Sequence, residues 1–488
     1  MLSLIVFFPL AVAVAMLLVP RTQEKLIKGL ALVGTLVPLA LTLVLLSRFE
    51  VGSGAIQFQE KFVWIPSLGI QYHMGVDGWG ITMLALSTLL FPLAVLASFG
   101  YIEHRVKDYF VLLLILETGT NGVFTALDFV LFYVFWEIVL LPMYFLIGIW
   151  GGPRREYAAI KFFLYTLIGS VIMLVGALAL YLQFPAGQRT FDLIELAKLT
   201  QGLPVNALTT FAFFALLLGF AVKVPAFPFH TWLPDAHVEA PTPISMLLAG
   251  ILLKMGTYAM VRISHPMLPQ VAREWAWLIA AVGIVGIVYG AFAAMAQKDF
   301  KKVVAYSSVA HMGFFLLGLA AGTPEALAGG YFETIAHGLI SPLFFFVVGM
   351  YYERTHTREL EKLGGMFLTV PAISFVMAFT AFANLGLPGL AGFIAEFFTL
   401  VGSYQTWGLW ILGAGLGMVI IAAFHLILMR QVLMGEKKYE SLPDITPKEI
   451  TIFAPLAALI VLFGVYPAPV FKVLDPGIKV LSALLLGG

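Results

Sequence analysis

Residues 223–258 read KVPAFPFHTWLPDAHVEAPTPISMLLAGILLKMGTY. Lys223 lies in an apolar run, and Pro225 and Pro228 follow it within five residues. Each proline lacks a backbone N–H and clashes with the preceding turn, so two so close together predict a helix broken near Lys223. A second lysine, Lys254, stands eleven residues into the next apolar run. Burying an ionisable group in lipid costs about 2.5–3.5 kcal/mol on insertion scales, so such groups point to function.

The rest of the chain says that the solvent around these runs is lipid. Of 488 residues, 61% are hydrophobic and only 11% charged, against about 25% charged in soluble domains. Fourteen apolar runs approach the roughly 20 residues that cross a hydrocarbon core. They lie near 2–20, 26–46, 79–101, 109–126, 128–150, 158–183, 206–233, 243–261, 273–295, 303–321, 327–351, 367–402, 408–429 and 450–471. Short alternating barrel segments are missing, so the expected fold class is an all-α polytopic membrane protein. The first run lacks a basic leader segment and a second span follows at once, so it reads as a span and not as a signal peptide. Residues 51–78 are polar and alternate weakly around Pro66–Gly69, which suggests a hairpin at the membrane surface.

Basic residues orient the spans. Loops after odd-numbered runs hold 18 Lys and Arg, and loops after even-numbered runs with the C-terminus hold 8. The positive-inside bias makes the first set cytoplasmic and, with an even span count, puts both termini on the outer side. Twenty-eight Lys+Arg balance 27 Asp+Glu, so no basic face suggests nucleic acid. Zero Cys excludes disulfides, thiolate zinc sites, cysteine nucleophiles and cysteine-ligated clusters.

Further ionisable groups stand inside runs. Glu137 has some ten apolar residues on either side in FYVFWEIVLLPMYFLIGIW; the alternative to function is a structural hydrogen bond to a neighbouring helix. Lys223 has the alternative of plugging carbonyls freed by the break. Glu396 follows Gly386, Pro388, Gly389 and Gly392 in NLGLPGLAGFIAEFFTLVG, a second interrupted run. His311, His337 and His425 are either satisfied core histidines or proton relays. No spacing pairs them as haem ligands. Glu117 and Asp77 stand near run boundaries and read as helix-end hydrogen bonders, and the glycines of 282–290 and 413–417 as close-packing sites.

The order of these features repeats. Runs 4–8 and 9–13 each contain five spans with the interruption in the fourth. An odd number of spans inverts the second copy, and inverted repeats with matching broken helices mark ion-transport architecture. The expected organisation is residues 1–108 as spans 1–3 with an outer-side hairpin, 109–262 as the first repeat, 263–429 as the second, and 430–488 as a cytoplasmic loop with span 14. A carboxylate beside a buried ammonium holds its proton; separating the pair releases it. Glu137 and Lys223 would form such a switch, and Lys223, Lys254, His337 and Glu396, linked by water, a proton path along the membrane midplane. The chain has no phosphate loop and no redox centre of its own, so an ion gradient or partner subunits must drive it.

Five segments carry a resemblance: VDGWG (76–80), LDFVLFYVFWEIVLLPMYFLIGIWGG (127–152), residues 223–258 quoted above, QKDFKKVVAYSSVAHMG (297–313) and NLGLPGLAGFIAEF (384–397). The chain resembles, over essentially its whole length, the antiporter-like membrane subunits of proton-pumping NADH:quinone oxidoreductase (respiratory complex I). These are also similar to subunits of multisubunit cation/proton antiporters, which leaves a non-redox antiporter subunit as the alternative function. The family's twelfth-span residue is Lys in paralogues L and N and Glu in paralogue M; Glu396, and a chain that ends after span 14 without a long lateral helix, resemble M. The resemblance implies Glu137 as the fifth-span glutamate, Lys223 as the broken-helix lysine, Lys254 as the connecting lysine, Glu396 as the exit-side acid, and His337 with His311 along the path. It also implies L and N as neighbours, protons and water as cargo, no cofactor in this chain, NADH or ferredoxin as donor elsewhere, and a bacterial inner or thylakoid membrane.

Overall fold

The structure is a computed structural model that describes residues 1–487. Every apolar run contains a helix. The longer elements are α1 (Leu2–Leu17), α2 (Glu24–Ser47), strands β1 (Gln57–Ile65) and β2 (Ile70–Val76), α3 (Gly78–Ser98), α4 (Val106–Thr125), α5 (Phe129–Trp150), α6 (Arg155–Gln183), α7 (Leu193–Thr200), α8 (Ala207–Lys223) and α9 (Trp232–Glu239). They continue as α10 (Thr242–Met267), α11 (Ala276–Met295), α12 (Phe300–Ala321), α13 (Pro324–Thr355), α14 (Pro371–Asn384), α15 (Ala391–Trp407), α16 (Ile411–Leu433), α17 (Pro447–Val465) and α18 (Ala468–Leu486). Among the described residues ten helical stretches are long and apolar enough to cross a membrane.

The chain folds into two compact units. One comprises Met1–Val224, Ile251–Ala276 and Lys472–Gly488; the other comprises Pro225–Gly250 and Trp277–Phe471. In the first, α1 packs on α2 and α4, α4 on α5, and α6 along α8. In the second, α13 is the core: its most apolar stretch is wholly buried, and α12, α14, α15 and α17 pack against it. Both interruptions expected from the sequence are present. Backbone between α8 and α9 and between α14 and α15 is non-helical. In the second break Gly386 and Gly389 adopt φ of 78° and 94°, a left-handed conformation that costs glycine little and other residues much.

The glycines of 282–290 form a packing surface, as expected, and Gly413 and Gly417 face Ile284 and Ile287, but nothing lies within 4 Å of a Cβ on Gly415. A Cβ on Gly283 would lie 2.8 Å from the Gly313 carbonyl, and one on Gly290 would lie 2.7 Å from the Ala310 nitrogen, so α11 and α12 touch backbone to backbone. Glu117 departs from expectation: it lies within α4, fully buried, rather than at a span boundary. Asp77 behaves as expected, capping α3 by accepting the Gly80 N–H at 3.1 Å, and it also pairs with Arg262. The last apolar run ends earlier than hydropathy suggested: Tyr466 and Pro467 separate α17 from α18, which carries Lys472, Asp475 and Lys479 and packs Gly477 on Trp79.

Residues 57–76 form the expected hairpin. The two antiparallel strands pair Lys61 with His73 and Ile65 with Ile70, and register shifts lie at 57–60 and 63–65. Two aspartates fasten it. Asp128 caps α5, accepting the Val130 N–H at 2.9 Å, and also accepts the Gln71 N–H at 3.0 Å. Asp192 caps α7, accepts from His73 Nδ1 at 2.7 Å and pairs with Lys61 at 2.9 Å. Gln59 Nε2 donates to the Ile56 carbonyl, which turns its Oε1 to His73 Nε2 at 3.2 Å, so both ring nitrogens face acceptors.

Burial works against ionisation of Asp192, but the hydrogen bonds from His73 and Lys61 outweigh it and hold the carboxyl at about 2. A lowered carboxyl value means that this attachment is at full strength above the ordinary aspartate range near 4 and weakens as pH falls toward 2. Hydrogen bonds to charged groups contribute about 1.5–3 kcal/mol, so Asp192→Asn is expected to accelerate hydrogen exchange of hairpin amides about tenfold to a hundredfold. Unchanged exchange over residues 57–76 would show that other contacts fasten the hairpin.

Candidate functional site: buried charges at two helix breaks

In the first unit the groups gather around the end of α8. Lys223 is its last residue, where the carbonyl-rich end of a helix favours a cation. Lys223 is 2% exposed, and its Nζ lies 5.2 Å from the Trp136 ring centroid and 5.7 Å from that of Phe162. Aromatic faces stabilise a desolvated ammonium without neutralising it. Glu137 is the residue after Trp136 on α5. Its Oε1 makes no hydrogen bond among the described residues. Pro142, inside α5, removes the N–H that would otherwise bond the Ile138 carbonyl just beyond Glu137.

Lys254 is fully buried on α10. The helix there is irregular: a π-helical turn over Leu248–Leu252 ends just before the lysine, and a second covers Met260–Ser264. Such turns leave the regular ladder and recur at functional sites. Nothing in the periodicity marks them. Two residues on, Gly256 lets α10 approach α8: a Cβ there would lie 2.7 Å from the Phe220 carbonyl and 3.1 Å from the Val224 nitrogen. The backbone bearing Lys254 is thereby seated on the turn that ends at Lys223.

In the second unit the groups form a tighter cluster. Glu396, 1% exposed on α15, reaches back to the break: a Cβ on Gly386 would collide with Glu396 Oε2 at 2.3 Å. Gly386 is thus required twice, by its φ and by the carboxylate. His311 on α12 places Nδ1 3.7 Å from Glu396 Oε1, and also 3.7 Å from Oε1 of Glu333 on α13. The His311 and His337 rings lie 5.7 Å apart. Glu333 was not singled out in the sequence, although ETIAH puts it one helical turn before His337 and so on the same face. Among the described residues no group of three or more His, Cys, Asp or Glu is arranged to hold a metal ion.

His425 is held differently. Its Nδ1 donates to the Ile421 carbonyl at 2.8 Å, and its Nε2 accepts from the Asn384 amide at 2.9 Å. Asn384 is the last residue of α14 before the break and also reaches Ser307 Oγ at 3.4 Å. Both ring nitrogens of His425 are committed, so it reads as a clamp on the end of α14.

Comparison with known proteins follows this geometry. A family model described as NADH:quinone oxidoreductase/Mrp antiporter, TM, matches residues 126–422, a range that includes all six expected site residues. NADH-quinone oxidoreductase subunit M of Rhodobacter capsulatus is 43% identical over 98% of this chain and 95% of its own length. F420H2 dehydrogenase subunit M of Methanosarcina mazei is 36% identical over 99% of this chain and 98% of its own. Among solved structures, a chain of respiratory complex I from Thermus thermophilus with bound NADH superposes with a TM-score of 0.90 at 30% identity, covering 99% of this chain and all of that one.

The clamp reading of His425 is testable. His425→Leu removes the nearer acceptor of the Asn384 amide and leaves the 3.4 Å contact with Ser307 Oγ, a loss of about 1–3 kcal/mol for a buried group. It is expected to lower the yield and melting temperature of the protein while the assembled fraction translocates protons at the wild-type ratio. A lost ratio at normal yield would place His425 on the proton path instead.

Proposed function

Given that the chain belongs to the NADH:quinone oxidoreductase/Mrp antiporter membrane family, we propose that it is the proton-translocating, M-type membrane subunit of a redox-driven quinone oxidoreductase. The observation that carries this is the coincidence of both helix breaks with buried ionisable groups, in a chain that matches M-type relatives over nearly its whole length. The chain is an integral multi-pass membrane protein whose relatives are oxidoreductase subunits. In this reading fourteen spans cross the membrane, spans 4–8 and 9–13 form two inverted repeats, both termini face the outer side, and the L and N paralogues are the neighbours. No cofactor is held in this chain; electron transfer belongs to other subunits.

The chemistry is proton movement controlled by charge pairing. With Glu137 close, the carboxylate and the rings of Trp136 and Phe162 favour the ammonium of Lys223. When the carboxylate moves away or is itself neutralised, the ammonium loses its only acidic counter-charge in the switch and its proton passes to water in the break. Freed backbone groups at a break survive in a membrane only beside protein or water, so the break supplies the wet path. Lys254, seated on that turn through Gly256, takes the next position. His337, His311 and Glu396 carry the proton onward, and Glu396 opens on the second break.

Glu137→Ala and Lys223→Ala are each expected to abolish or strongly reduce proton uptake per electron by reconstituted vesicles. Removing one partner of a buried pair costs about 3–5 kcal/mol, so assembly is measured alongside. Glu137→Asp keeps the charge with a shorter reach and is expected to pump partially. Glu396→Gln cannot titrate and is expected to lose pumping, whereas Glu396→Lys, which titrates in the opposite charge sense, is expected to retain much of it. Wild-type ratios in assembled Glu137→Ala, Lys223→Ala and Glu396→Gln would defeat the reading.

A further inference from the structure

The path above uses His311, His337 and Glu396 and leaves one acid of the same cluster idle. Glu333 is 3% exposed on the most buried helix of its unit, and its Oε1 stands 3.7 Å from the same His311 Nδ1 that faces Glu396. We propose that Glu333 is a further proton-carrying residue, which exchanges a proton with Glu396 through His311 Nδ1. The inference rests on the proton-translocation reading and deepens it.

The geometry makes the exchange balanced. Begin with Glu333 as the neutral acid, His311 neutral with its proton on Nε2, and Glu396 as carboxylate. Glu333 gives its proton to His311 Nδ1, leaving a carboxylate and an imidazolium. The imidazolium gives that proton, from the same nitrogen, to Glu396. Glu333 ends as carboxylate, His311 neutral and Glu396 protonated, and no ring flip is needed because both acids face one nitrogen. The trio carries one net negative charge at every stage. That matters in a water-poor interior, where changing net charge is expensive.

Each 3.7 Å separation lies outside hydrogen-bond range. Closing either by about 1 Å makes the bond, so small shifts of α12, α13 or α15 decide which acid His311 serves. A carboxylate kept for structure alone is bound differently in this unit. Glu449 accepts from Arg354 at 2.8 Å and 2.9 Å and from the Thr446 N–H at 2.7 Å, a fixed bidentate arrangement with a cation that does not titrate. Glu333 faces His311, a group that exchanges protons.

The experiment uses the complete complex in vesicles, with proton uptake normalised to electron transfer. Glu333→Gln is expected to lower the ratio at least severalfold with assembly retained. Wild-type pumping in Glu333→Gln together with loss in Glu396→Gln overturns this inference alone; wild-type pumping in both overturns the underlying reading of the cluster. The second arm is infrared difference spectroscopy of Glu333→Asp between oxidised and reduced complex, which needs no loss of the acid. A protonated carboxyl band that shifts in frequency relative to wild type is expected if residue 333 changes protonation in turnover. An unshifted spectrum overturns the inference even where Glu333→Gln does not assemble.

Discussion

In hydrocarbon a backbone N–H or C=O without a partner costs several kcal/mol. This constraint makes a helix break costly and decides where everything else in the protein goes. The chain interrupts α8–α9 and α14–α15, and each interruption collects polar groups that a continuous helix would not need. At the first, Gly256 brings α10 against the Phe220 carbonyl. At the second, Asn384 ends α14 on His425 and Ser307, and Gly386 lies against the Glu396 carboxylate.

Much of this was legible in the sequence because lipid simplifies the code. A charge within an apolar run has few innocent explanations, so Glu137, Lys223, Lys254 and Glu396 stood out, and paired prolines or glycines marked both breaks. The hairpin was legible from its turn at Pro66–Gly69. What failed depended on three dimensions. Glu333 sits near the start of its run, and only the fold shows His311 between it and Glu396. Glu117 read as a helix-end hydrogen bonder, yet it lies within α4, fully buried. The π-helical turns beside Lys254 leave no mark on a hydropathy pattern. For His425 the sequence leaves core histidine and relay open, and its role as a clamp depends on Asn384, 41 residues away along the chain.

The signs of the charges at the two breaks also follow from helix physics. Lys223 closes α8, the end of a helix where unsatisfied carbonyls concentrate negative potential. Glu396 follows the second break on α15, whose start presents N–H groups and positive potential. Long helical side chains lean toward the N-terminus of their own helix. Glu396 therefore leans back onto Gly386, into the break, while Lys223 leans away from its break, along α8, where Trp136 and Phe162 receive it. The cation is kept among aromatic rings, and the acid is laid against the backbone of the break. The same folding rule, applied to opposite ends of a helix, turns Lys223 away from its break and Glu396 into its own.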